Sequence, residues 1–162
     1  MKNKSVLFMA QAAMIAAIYV VLTIVFAPFS FGEVQVRIAE ALTILPVFTP
    51  AAIPGLFIGC LIGNILGGAL LPDIIFGSIA TLIGALFTWQ LRNKSKYLAP
   101  VPPIIANALI VPAYLPILLQ GLGFYTIPFT DISLDGAYIP MYLFGVVATG
   151  IGEALVVYAL GL

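Results

Sequence analysis

The sequence predicts an all-α integral membrane protein, one bundle of six transmembrane helices over residues 1–162 with both termini on the cytoplasmic side. Three observations predict it. The chain is 63% hydrophobic and 7% charged, with a mean hydropathy of +1.21. A soluble domain could not cover its surface with so few charges, so the solvent for most of that surface is lipid. Apolar runs of helix length recur along the chain, and at about 20 residues per span its 162 residues allow five or six. Finally, the basic residues fall almost wholly on one side of the spans.

The first helix covers residues 6–26. Lys2 and Lys4 precede it as in a signal peptide, but the apolar stretch is too long for an h-region and further spans follow, so it reads as a retained helix. A polar segment with proline and glycine occupies 27–35. The second, shorter helix covers 36–48 and carries Arg37 and Glu40 near its start. Thr49 and Pro50 interrupt the apolar pattern, and the third helix runs over 51–70. Pro72 and Asp73 mark a turn, with Asp73 suited to cap the fourth helix, 74–91. Residues 92–97 form the basic loop. The fifth helix covers 102–120 and is kinked by Pro112 and Pro116. A longer connection, 121–136, contains Asp131 and Asp135, and the sixth helix covers 137–160.

With the N-terminus inside, six spans put Lys2, Lys4, Arg92, Lys94 and Lys96 in the cytoplasm, which is five of the six basic residues. Arg37 is the exception. The same assignment sets Glu33, Glu40, Asp73, Asp131 and Asp135 at or near the outer face. Polar chemistry therefore gathers where an importer first meets its ligand.

Several function classes lose ground on residue inventory. There is no histidine and one cysteine, Cys60, which removes the commonest general base, the commonest metal ligand and any internal disulfide. Cys60 lies in an apolar, glycine-rich run that suits packing. No Gly-x-Ser-x-Gly elbow and no Walker A segment occurs, so the chain reads as a non-enzyme without cofactor or metal, whose ATP coupling would come from another chain. A net charge of +0 argues against nucleic acid as a partner.

Ala12 and Ala16, interleaved with Ala13 and Ala17, make a small-residue strip on the first helix. Such strips let helices approach closely in lipid, either within the bundle or against another membrane subunit. Gly55, Gly59, Gly63 and Gly67 form a denser stripe on the third helix, whose usual meaning is internal packing. Asn64 beside it needs a partner, from a neighbouring helix or a ligand. The segment FGEVQVRIAE places Glu33, Arg37 and Glu40 within eight residues, Arg37 and Glu40 at i, i+3. A local ion pair and a ligand site account for them equally. Asp73 reads first as a cap and second as a ligand contact. Gln120 suits an outer site, while Asn107 suits a bond to another helix. Trp89 is an interfacial anchor; Phe124, Tyr125, Tyr138 and Tyr142 are belt aromatics by default, although a flat heterocycle would use the same rings. Glu153, in the inner half of the last helix, calls for an interhelical partner or a subunit contact, since no chain of ionisable groups is visible around it.

The runs VQVRIAEALTILP, IPGLFIGCLIGNILGG, DIIFGSIATLIGAL and APVPPIIANALIV resemble the QueT family, the queuosine-precursor-specific S components of energy-coupling factor importers. The first run is the most specific, and the resemblance spans most of the chain. It implies an S component that captures a 7-deazaguanine-type ligand from outside and works in a prokaryotic plasma membrane with a separate coupling protein and a pair of ATPases. The double alanine strip is similar to the feature by which S components dock on that partner. A guanine-like edge would suit Glu40, its carbonyl Arg37, Asn64 or Gln120, and its face an aromatic. Glu33, Asp73 and Tyr138 complete the candidate ligand set. An S component for another vitamin or nucleobase, or a structural membrane subunit that binds no solute, stays open beside this reading.

Overall fold

The computed structural model describes residues 2–30, 37–95, 97–119, 133–134 and 136–161, and all regular structure there is helical apart from a single bridge residue. The helices are α1 (Lys2–Val25), the short α2 (Ala27–Ser30), α3 (Ala52–Leu66), α4 (Ser78–Leu91), α5 (Val101–Leu119) and α6 (Tyr138–Val156). A 3₁₀ helix, Ile38–Val47, precedes α3, and π-helical turns Asp73–Gly77 and Val157–Gly161 lead into α4 and extend α6. Among the described residues, four stretches are long and apolar enough to cross a membrane: Asn3–Val25, Asp73–Leu91, Val101–Leu118 and Tyr138–Gly161. The apolar helices Ile38–Val47 and Ala52–Leu66 are shorter.

The expected second α-helix is the main departure. Over Ile38–Val47 the chain winds as a 3₁₀ helix containing Pro46. Proline has no N–H to give the α pattern, and ten residues at about 2.0 Å rise cover only about 20 Å. The third helix ends four residues before the expected limit because Gly67 caps it and Gly68 adopts φ +75°, a conformation that costs a side-chain-bearing residue energy.

Helices α1, α3, α4, α5 and α6 pack in sequence around the 3₁₀ helix, which packs against α1, α3, α4 and α6. Its Ala39, Glu40, Thr43, Ile44 and Pro46 are buried. Glycines set the spacing of the wall. A methyl at Gly55 would lie 2.8 Å from the Ala12 carbonyl oxygen, and one at Gly59 would lie 3.1 Å from the Ala16 Cα and 2.8 Å from the Tyr19 Cβ. The glycine stripe is therefore internal packing, as expected, with Ala12 and Ala16 as its counterface. Ala13 and Ala17, on the other strip, stand exposed. Gly84 meets Pro103 and Gly145 meets Pro112 in the same way, drawing α4 to α5 and α5 to α6. Removing the side chain at such crossings lets backbones meet, which is how helices gain attraction without a hydrophobic drive in lipid.

At one end, the Arg92 guanidinium lies 3.5 Å from the Trp89 ring centroid and donates to the Trp89 carbonyl at 2.7 Å. Tyr158 in the last turn donates to the Tyr97 carbonyl at 2.7 Å, which sets the end of α6 beside the loop that bears Arg92 and Lys94.

Candidate functional site

Inside this apolar bundle lies a connected set of buried polar side chains. Arg37 sits at the entry to the 3₁₀ helix with extended backbone (φ −90°, ψ 102°), and its carbonyl accepts from the Glu40 N–H at 2.9 Å. Three residues per turn bring Arg37 and Glu40 to one side of that helix.

Arg37 does not make the local pair with Glu40 its main anchor. Its Nη2 is 2.9 Å from Asp73 Oδ2, and both side chains are buried. The other Asp73 oxygen accepts the Tyr114 hydroxyl at 2.5 Å. Asp73 caps no helix: the π-helical turn it begins shows no side-chain cap bond, because its carboxylate is committed to Arg37 and Tyr114. Asn64 on α3 donates through Nδ2 to the Asp73 carbonyl at 3.2 Å and to Cys60 Sγ at 3.5 Å. Gly77 closes this group, since a methyl there would lie 3.4 Å from Asp73 Oδ1, 3.5 Å from Asn64 Nδ2 and 3.7 Å from Arg37 Nη1.

Glu40 starts a second group. Its Oε1 accepts the Tyr19 hydroxyl from α1, and it lines one small cavity with Glu153 of α6. Glu153 Oε1 accepts Asn107 Nδ2 from α5 at 2.5 Å. The interhelical partners expected for Asn107 and Glu153 are thus each other. The ionisable neighbour not foreseen for Glu153 is Glu40, which lies 1% exposed within the bundle. The reason is the 3₁₀ helix, which starts inside the wall of helices; a methyl at Gly161, at the end of α6, would meet the Ala41 carbonyl at 2.8 Å.

Arg37, Glu40, Asn107, Val111, Thr149 and Glu153 line a cavity of ≈ 10 Å³, room for about one water. Among the described residues, Glu40 Oε2 and Asn64 Oδ1 are buried without a hydrogen-bond partner. A buried acceptor left unpaired costs about 1–3 kcal/mol, so these two atoms mark where a guest with N–H or O–H donors would gain most. All polar partners here are hydrogen-bonding and ionic groups; the residues can bind and orient a polar guest in a water-poor setting.

Of the sequence candidates, Arg37, Glu40, Asn64 and Asp73 come together. Tyr138 does not join them: it stands 47% exposed at the start of α6, donates to the Ala113 carbonyl at 2.8 Å and stacks on Tyr142 with centroids 6.2 Å apart. Glu33 and Gln120 lie outside the described residues, as do Lys96, Phe124, Tyr125, Asp131 and Asp135. Sequence reading passed over Tyr19, Tyr114 and Thr149. The two tyrosines carried a signal, because a phenol within an apolar span must find a partner for its hydroxyl.

The queuosine precursor transporter QueT of Lactococcus lactis subsp. cremoris (strain MG1363) is 33% identical over 85 residues, which is 51% of this chain. The match spans 50% of that relative's length. No solved structure matches. The family description "QueT transporter" matches residues 9–162, taking in every described residue of both polar groups. With that coverage, the chain belongs to the QueT transporter family, a family of transporters and not of enzymes.

Proposed function

We propose that this chain is the substrate-capturing membrane subunit of an ATP-driven energy-coupling factor importer, and that its ligand is a queuosine precursor of the 7-deazaguanine type. The observation that carries the reading is the buried polar cluster of Arg37, Glu40, Asn64 and Asp73, in which Glu40 Oε2 and Asn64 Oδ1 have no hydrogen-bond partner among the described residues. An apolar bundle keeps such a group at a cost, and a donor-rich guest would offset it. Family membership and the printed name of the Lactococcus relative support the same ligand class.

In this reading Arg37 and Glu40 contact the base, Asn64 offers its unpaired Oδ1, and Asp73 holds Arg37 in place. Tyr138 serves an outer approach to the site, together with Glu33 and Gln120. Six spans with both termini inside a prokaryotic plasma membrane suit the basic residues, and the Tyr158–Tyr97 bond, which ties the last turn to the basic loop, supports that side assignment. The coupling protein would dock on α1, where Ala13 and Ala17 are exposed while Ala12 and Ala16 hold α3 from within. The ATPase pair would act through that protein. The residues form one domain, with the bilayer as its solvent.

The test is equilibrium binding of 7-deazaguanine precursors to the purified protein in detergent, with guanine as competitor. Sub-micromolar binding of a precursor that guanine cannot displace at equal concentration is the expected result. No binding by monodisperse protein would remove the ligand class and promote a different vitamin or a scaffold role.

A further inference from the structure

The outward side of α4 and α5 is not smooth. Where the two helices cross, a methyl at Gly84 would lie 2.6 Å from the Pro103 Cα, so their backbones touch. Beside the crossing runs an apolar furrow of ≈ 440 Å³. Ala106, 8% exposed, is its floor; Phe87 from α4 and Ile105 and Leu109 from α5 are its walls, each about half exposed. The furrow continues past the crossing. Leu109 and Ile110 also line a second stretch of ≈ 300 Å³, which ends on the Phe76–Tyr114 ring pair. From Val101 to Tyr114 the helix rises roughly 20 Å, enough to run the depth of one leaflet, about half of a 30 Å hydrocarbon core.

One end of this furrow is charged. Leu91 ends α4, Val101 begins α5, and both line the furrow, so the loop that joins them lies across its mouth. That loop carries Arg92, seated over the Trp89 ring, and Lys94, which is exposed. The described carboxyls, Glu40, Asp73 and Glu153, are all buried in the bundle. Among the described residues, no acidic group balances the loop. Basic side chains at the end of a span reach the headgroup level, where an anion can pair with them.

We infer that the α4–α5 furrow holds one anionic phospholipid, its phosphate on Arg92 and Lys94 and one acyl chain laid over Ala106 toward Phe76 and Tyr114. The charge at one end, the apolar lining and the length all suit this occupant. A partner's transmembrane helix does not fit as well: at about 10 Å across it would rest on Phe87, Ile105 and Leu109 without reaching the floor, whereas a flexible chain follows it. The site is separate from the polar cavity and does not depend on the identity of the transported ligand.

The experiment is native mass spectrometry of the full chain in detergent, titrated with phosphatidylglycerol or with phosphatidylcholine bearing the same palmitoyl chains. One saturable adduct is expected, with phosphatidylglycerol held at least about fivefold more tightly, because each basic residue near an anionic headgroup adds to binding. Arg92→Gln combined with Lys94→Gln should bring the ratio of the two lipids to about one. Ala106→Leu fills the floor, leaves both charges in place and should weaken phosphatidylglycerol by about fivefold or more, through lost tail contact. Should that variant fail to fold, Phe87→Ala strips an exposed wall and should weaken the same lipid. Equal retention of the two lipids by wild-type protein would overturn the site. A phosphatidylglycerol preference that survives the furrow variants would overturn it too, since the loop would then attract headgroups without seating a chain.

Discussion

Replacing Arg37 by methionine while leaving Asp73 in place should be among the most damaging single changes in this protein. The guanidinium and carboxylate are 2.9 Å apart and their side chains are 7% and 6% exposed, so neither partner has water to fall back on. Breaking a pair of this kind from one side costs about 3–5 kcal/mol, because it strands a buried charge. Asp73→Leu should cost a similar amount from the other side. The double variant strands no charge. What it leaves is the Tyr114 hydroxyl, which loses its acceptor at 2.5 Å and is only partly buried, a cost of about 1 kcal/mol. The double variant should therefore be more stable than either single, with a non-additivity of at least about 3 kcal/mol. The assay is unfolding in detergent titrated with sodium dodecyl sulfate and followed by helical circular dichroism. Single-variant losses that add to within about 0.5 kcal/mol would refute the claim that this pair is a closed, desolvated unit.

Gly59→Ala places a methyl against the Ala16 backbone and the Tyr19 Cβ at 2.8–3.1 Å, and overpacking of this kind should cost about 1–3 kcal/mol in the same unfolding assay. Ala13→Leu, on the exposed strip, should leave stability within about 0.5 kcal/mol of wild type while lowering uptake in cells that carry the coupling module; unchanged uptake would remove that strip from the docking surface. Asn107→Leu deletes the donor to Glu153 and should destabilise the α5–α6 contact by about 1–3 kcal/mol, the cost of leaving a buried acceptor without its partner. Cys60, 0% exposed, should resist maleimide labelling in folded protein and react on denaturation; rapid labelling of the native state would show that α3 does not bury this face.

The helical architecture was legible in the sequence because lipid leaves the chain few alternatives. Apolar stretches of span length and the glycine stripe on the third helix each carry their structural meaning locally, whereas the turn expected at Pro72 falls earlier, over residues 67–70, and Pro72 itself is helical. Arg37, Glu40, Asn64 and Asp73 were legible as a set because charged and amide groups are rare in such a chain and must converge. Their pairing was not. The i, i+3 spacing of Arg37 and Glu40 suggests a local pair, yet Asp73, 36 positions away, takes the guanidinium because the π-helical turn carries its carboxylate to the 3₁₀ helix. The burial of Glu40 was hidden for a related reason: it depends on packing between distant helices, and nothing in the ten residues from Ile38 to Val47 records it. Tyr19 was hidden by its neighbours: in a helix this apolar one hydroxyl has little effect on the pattern.

Helix α1 offers two alanine strips, one seated in the glycines of α3 and the other facing outward. The seat is backbone against backbone, with Ala12 and Ala16 so near Gly55 and Gly59 that neither helix can slide without climbing over the other. A push on the outer strip is thus a push on α3. Because α3 also carries Asn64, which holds the Asp73 carbonyl, and α1 carries Tyr19, which holds Glu40, displacement at the periphery arrives at both polar groups along rigid rods. The pair of helices behaves as a handle, and whatever grips it from outside also takes hold of the cavity.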